Sequence, residues 1–291
     1  MMKKNLLIVL AFAGALCTSC SQEDTFSTTV PQKAGNDLFK FNLPLRADDK
    51  TGGIVSSLHA YAFSNGNYLR KFENIDVRTD NFQLSLPADK QKTLYFLANH
   101  SALTVDENTF SETELLKVTG STDTTTPPPV FLYAKASVGS NTSERVDISL
   151  IRSVARIDIN PGTDNKMSID SIRFTGGADR TFLFSDTPST IPADAAGVIY
   201  TKRYSTPLVG GVSDAENSEV FYAYENGAKE AEISVFGKYN GIDVEVNAKV
   251  PSMVRNHIYT IKLQGVGQII SGSIEISPWE TGDDIIATPV I

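Results

Sequence analysis

Cysteine is nearly absent. The 291 residues hold two, Cys17 and Cys20, both within the first twenty. The body of the chain therefore forms no disulfide and offers no thiolate to a metal or a substrate. Histidine is almost as scarce, and His59, His100 and His257 lie far apart with no metal-ligand spacing. Basic residues number 26 against 34 acidic ones, for a net charge of −8. A nucleic-acid surface needs clustered Lys and Arg, so that partner is excluded. No internal apolar run is long enough for a membrane-spanning helix. No glycine-rich phosphate loop follows a strand, and neither a His-Glu-x-x-His pair nor a Gly-x-Ser-x-Gly elbow occurs. The acidic pairs Asp48-Asp49 and Asp283-Asp284 lack calcium-loop spacing and read as solvated turn charges. These absences point away from catalysis, and they give no reason to expect a cofactor or a metal.

What is present begins with an address. Lys3 and Lys4 precede the apolar run Leu6–Leu16, the length of a secretory signal and short for a membrane helix. Cys20 follows the small residue Ser19, whereas Cys17 follows Leu16. The segment resembles a bacterial lipobox with Cys20 as the lipid-bearing residue, although Cys17 stands where leucine is usual. Glu23-Asp24 just beyond resembles the export signal of Bacteroidetes surface lipoproteins. A plain secretory signal with incidental cysteines is the alternative.

The remainder is 41% hydrophobic over the full chain, ordinary for a globular protein, and its length suits two domains. Residues 21–37 are polar with Pro and Gly and read as a tether. Phe39, Phe41, Leu43 and Leu45 then alternate along a half-buried strand. Pro44 lacks an N–H, which predicts an edge position or loose pairing for it. Further alternating runs cover 57–63, 82–86, 93–98, 168–174, 219–224, 231–237, 242–250, 257–263 and 273–276, and Ser64-Asn65-Gly66-Asn67 has hairpin-turn chemistry. Residues 146–159 read as one long strand closing the first half. Ser111 with Glu114 three places on is a capping box for a short helix over 111–117. Short strands separated by turn residues predict an all-β fold: two tandem β-sandwich domains, transthyretin- or immunoglobulin-like, with short helical insertions, meeting near residue 158.

Five segments taken in order resemble the fimbrillin family, the type V pilus subunits of the Bacteroidales. They are the lipobox with its acidic pair, Leu58–Phe63 leading to Asn65-Gly66 and Tyr68-Leu69, Arg152–Ile157, Val254–Tyr259, and Ile274–Trp279. The resemblance implies a lipoprotein precursor carried to the cell surface and anchored in the outer membrane through Cys20. An Arg-specific protease then removes the first strand (Phe39, Phe41, Leu43 and Leu45), cutting between Arg46 and Ala47. Donor-strand exchange with other pilus subunits fills the groove, and Ile285, Ala287, Pro289 and Ile291 on one face of the C-terminal segment are the matching donor. On this view 1–19 is signal, 20–46 propeptide, 47–157 the N-terminal sandwich and 158–291 the C-terminal sandwich with its tail. The cleavage arginine favours a shaft or tip subunit over an anchor. Asp123-Thr124-Thr125 resembles a short O-glycosylation triplet of exported Bacteroidetes proteins. The competing reading is a surface-exposed glycan-binding lipoprotein, which calls for exposed aromatics; the single Trp279 ends a strand instead.

Overall fold

Alternation along the first strand decides which side of it is covered. In β1 (Asn36–Asn42), Phe39 and Phe41 are buried while Leu38 and Lys40 face outward. The computed structural model describes residues 35–43, 55–78, 80–88, 90–139, 145–163, 165–187, 189–211 and 218–279. In the amino-terminal half, β2 (Leu58–Ser64), β3 (Asn67–Phe72), β4 (Asn81–Pro87), β5 (Lys92–Ala98), β7 (Leu132–Val138), β8 (Arg145–Asp147) and β9 (Ile151–Arg152) join β1 in two sheets. Their orders are β4-β1-β8 and β3-β2-β5-β7-β9. Phe39, Phe41, Leu84 and Leu86 of the first sheet pack against Leu58, Ala60, Ala62, Leu94 and Phe96 of the second. Asn65 (φ 51°) and Gly66 (φ 78°) both take the left-handed conformation in the β2–β3 turn, as a two-residue hairpin loop requires.

The carboxy-terminal half holds β10 (Ala155–Asn160), β11 (Met167–Ala178), β13 (Gly197–Val209), β14 (Ser218–Ala223), β15 (Ala231–Tyr239), β16 (Ile242–Val250), β17 (His257–Val266) and β18 (Ile269–Pro278). They form the sheets β14-β10-β17-β18 and β13-β11-β15-β16. Ile157, Ile159, Tyr259 and Ile261 meet Ile172, Phe174, Ile233 and Val235 between them. A third cluster draws on both halves. Tyr61, Phe63, Tyr95 and Leu97, on the outer face of the five-stranded sheet, pack with Leu115, Leu183, Phe184, Tyr224 and Trp279. That sheet is therefore covered on both faces, which is why every residue of β2 is buried. A two-stranded ribbon, β6 (Thr119–Ser121) with β12 (Arg180–Phe182), adds another link between the halves. The described residues form one compact unit.

The all-β reading holds, with particular corrections. β1 lies between two neighbours rather than at an edge and ends at Asn42, and Pro44 lies outside the described residues. The single strand predicted over 146–159 is three, β8, β9 and β10, each in a different sheet. The break at 148–150 takes the chain from one sheet of the amino-terminal half to the other, and that at 153–154 takes it into the carboxy-terminal half. The short helix is α1 (Glu112–Leu115), capped by Ser111 Oγ accepting the Glu114 N–H at 3.2 Å. The second half of the capping box is replaced by an ion pair from Glu114 to Lys117 at 2.7 Å.

Candidate functional site

β1 is built to hold its sheet together. It pairs antiparallel with β4 over its whole length, Phe39 opposite Leu84 and Phe41 opposite Phe82. On its other side Lys40–Asn42 pair in parallel with Arg145–Asp147. The Leu43 N–H donates to Asp80 O at 2.7 Å, and Asn42 Nδ2 donates to Asp147 Oδ1 at 2.8 Å. Its three inward side chains are among the most buried in the chain: Phe39 at 1%, Phe41 at 0% and Leu43 at 3% exposure. Phe41 stacks on Phe82 (5.5 Å between centroids) and meets Phe96 edge-on at 5.6 Å. Phe39 lies over Lys92, whose Nζ is 4.3 Å from the ring centroid and donates to Gly139 O at 3.4 Å. Taking this strand away removes the common partner of β4 and β8 and uncovers an apolar groove floored by Leu84, Leu86, Leu94 and Phe96 with a cation at one end. Lys92 carries no signal in the sequence, since a lysine opening a strand is ordinarily solvated.

Leu45, Arg46 and Ala47 lie outside the described residues, as do Cys20 and the segment with Ile285, Ala287, Pro289 and Ile291. The three inward residues Phe39, Phe41 and Leu43 are thus brought together as one face, and the other predicted site residues are not placed. Two further arginines sit in strands. Arg70 is in β3, donating to Ser85 O and lying over Phe72, and Arg145 is in β8. Arg78 is exposed and holds Asp76 in a bidentate pair.

Three of the sequence motifs converge at one place between the halves. Trp279 is buried, stacked on Tyr222 at 5.7 Å, with the guanidinium carbons of Arg152 and Arg156 at 4.4 and 5.3 Å from its ring. Arg152 Nη1 donates to Trp279 O at 3.1 Å, and the Trp279 N–H donates to Asn256 O at 2.8 Å. The Asn256 N–H in turn donates to Val154 O. Burial, with the like charge of Arg156 adding to it, lowers the pKa of Arg152 from its ordinary value. Arg156 itself is held by Asp158 through two hydrogen bonds. Beside them Arg255 pairs with Glu225, both side chains at 0% exposure, and Thr181 donates to Glu225 at 2.8 Å. Burial pushes the Glu225 carboxyl up while Arg255 opposes it. Glu225 and Thr181 lie outside every motif and were not legible as partners of Arg255. A buried Trp279 cannot serve as a glycan platform. This knot fixes the point from which the chain beyond 279 departs.

His59 and Asp123 are held by neighbouring backbone groups. The Asn74 N–H donates to His59 Nδ1 at 3.2 Å, so Nε2 keeps the proton and donates to His100 O at 3.1 Å. Burial lowers the His59 pKa. Asp123 accepts from the backbone N–H groups of Thr125 and Thr126, chiefly the former, which holds it down to about 2; Thr124 and Thr125 are exposed. Among the described residues no group of three His, Cys, Asp or Glu is placed to hold a metal ion, and no helix is long and apolar enough to cross a membrane.

The model of the family described as fimbrillin-A associated anchor proteins Mfa1 and Mfa2 matches residues 35–284. No curated protein matches the chain by sequence. Solved structures do match in fold. A candidate cell adhesion protein of Bacteroides eggerthii superposes with a TM-score of 0.59 at 15% identity, covering 84% of this chain and 97% of its own. The tip fimbrial protein Mfa3 of Porphyromonas gingivalis, truncated at its C-terminus, gives 0.57 at 14% identity over 83% and 98%. A fimbrial assembly protein of Parabacteroides distasonis gives 0.54 at 14% over 84% and 98%.

Proposed function

The chain belongs to the family of fimbrillin-A associated anchor proteins Mfa1 and Mfa2, and from that membership we propose that it is a structural subunit of a type V pilus, serving adhesion at the cell surface without catalysis. In this reading the precursor is an outer-membrane lipoprotein with its lipid on Cys20. An Arg-specific protease cuts between Arg46 and Ala47, β1 leaves with the excised piece, and a strand of another subunit replaces it by main-chain pairing. Residues 285–291, with Ile285, Ala287, Pro289 and Ile291 on one face, donate to a neighbour in the same way. An arginine just behind a removable strand fits a shaft or tip position, since an anchor keeps both its strand and its lipid.

The position of β1 carries the proposal. A strand at the edge of a sheet can leave at the cost of one ladder. This one is shared by β4 and β8 and covers Leu84, Leu86 and Phe96, so its loss creates two open ladders around uncovered apolar surface. Such a site is open to pairing with a strand of matching alternation. Strand pairing at Arg70 and Arg145 holds the backbone there away from a protease cleft, which leaves fewer arginines to compete with Arg46.

The test is maturation in vitro. Folded precursor treated with an Arg-specific protease yields a stable product that N-terminal sequencing reads from Ala47. Arg46→Ala remains full length, keeps a metabolic fatty-acid label that Cys20→Ala lacks, and stays out of filaments. A product starting after Arg78, or a folded precursor resistant at Arg46, sinks the maturation step.

A further inference from the structure

The groove beneath β1 has two unlike slots. At Phe41 the walls are the rings of Phe82 and Phe96, and any large apolar side chain gains by filling them. At Phe39 the wall is the ammonium of Lys92, 1% exposed and facing the ring at 4.3 Å. We propose that Lys92 makes this groove selective for a strand with an aromatic ring at the position of Phe39, and therefore against residues 280–291 of a second copy of this chain. The inference rests on the strand-replacement reading above.

The physical reason is electrostatic. An aromatic face carries negative potential toward a cation set against it, and the attraction grows when water is excluded. An aliphatic side chain in the same place keeps the burial but offers the buried ammonium nothing. The outward positions discriminate little, because Leu38 is 62% exposed and Lys40 faces solvent. Selectivity thus concentrates on one inward position. The chain's own C-terminal segment fails there: residues 280–291 contain no Phe, Tyr, Trp or His, and its one-sided face is Ile285, Ala287, Pro289 and Ile291. In every register that segment sets a non-aromatic group against Lys92. The groove accordingly favours, over residues 280–291, a donor strand of another subunit that carries a ring there, with an inward apolar residue two places later for the Phe82–Phe96 slot.

The experiment uses chain trimmed by an Arg-specific protease and fluorescent peptides, read by anisotropy. The parent peptide is residues 36–43; variants carry Leu, Glu or pentafluorophenylalanine in place of Phe39, and a further peptide is residues 282–291. The parent should bind about 2-fold to 30-fold more tightly than the Leu variant, the range a cation facing a ring supplies. The pentafluoro variant, equal in shape but with its ring potential reversed, should fall with the Leu variant, and the 282–291 peptide should be weaker than the parent. In Lys92→Met chain the preference of Phe over Leu should vanish. Equal binding of the parent, Leu and pentafluoro peptides overturns the proposal, and so does tightest binding by the Glu variant, which would make the slot a reader of charge. If no peptide binds the trimmed chain, strand replacement itself fails. The intact chain then decides the role of Lys92: Phe39→Leu must shift the urea midpoint more when Lys92 is present than in a Lys92→Met background, and equal shifts overturn it.

Discussion

Among the described residues Glu225 and Arg255 are the charges most completely withdrawn from water, each side chain at 0% exposure, and each compensates the other. Removing one partner strands the second. Glu225→Gln should cost roughly 3–5 kcal/mol in urea unfolding, whereas the Glu225→Leu, Arg255→Met pair should cost less than the single change. A double variant as unstable as the sum of its single changes rejects the coupling. His59 supplies a pH dependence whose sign follows from its partners. Its Nδ1 accepts from Asn74 N–H, so a second proton has no acceptor there, and burial holds its folded pKa below the ordinary 6.5. The stabilisation is complete above about pH 6.5 and is lost as pH falls from 6.5 toward the folded value, because the unfolded chain takes the proton first. Wild-type urea midpoints should therefore drop more between pH 7 and pH 5 than those of His59→Gln. Parallel drops would remove His59 from the account. The hydrogen-bond partners of His59 were not legible, since Asn74 and His100 are near it only in space.

At the scale of elements, β1 was legible because Phe39, Phe41 and Leu43 just beyond it alternate without interruption. What alternation cannot tell is how many neighbours a strand has. Pro44 argued for an edge or loose pairing, yet β1 has a neighbour on each side and ends at Asn42. Phe41→Ala tests how far the sandwich relies on this element. It empties a site enclosed by Phe82 and Phe96, and the loss in chemical denaturation should be about 3–5 kcal/mol. A change below about 1 kcal/mol would mean that the groove collapses readily, and would weaken the case for a stable vacancy awaiting a donor. Among the strands that escaped the sequence reading are β7 and β13. In β7 the inward alternation is carried by Ala134, Ala136 and Val138, side chains too small to stand out from a loop. β13 contains Pro207 and many polar residues, which an edge strand tolerates because one side of it needs no ladder.

For the molecule as a whole, assembly is the property to test. Deleting residues 285–291 should leave a subunit that folds, is trimmed at Arg46, and fails to enter filaments on cells, as immunogold microscopy can count. Incorporation equal to the intact chain would refute the donor assignment. The same deletion should spare thermal stability, because Trp279 and its knot with Arg152 and Asn256 lie before it.

By itself the sequence determined the strand-rich class, the freedom from thiol chemistry, the hairpin turns and the one-sided face of β1. Each of these depends on residues near one another along the chain, where side-chain period and turn conformation are local matters. Tertiary structure alone decided that Arg152, Asn256 and Trp279 form one knot across separations of 104 and 127 residues. It also decided that Lys92 faces Phe39, and that 145–160 is divided among three sheets. Those outcomes follow from how two sandwiches and a shared third cluster exclude water together, and no local pattern encodes which distant side chain completes a buried cation's surroundings.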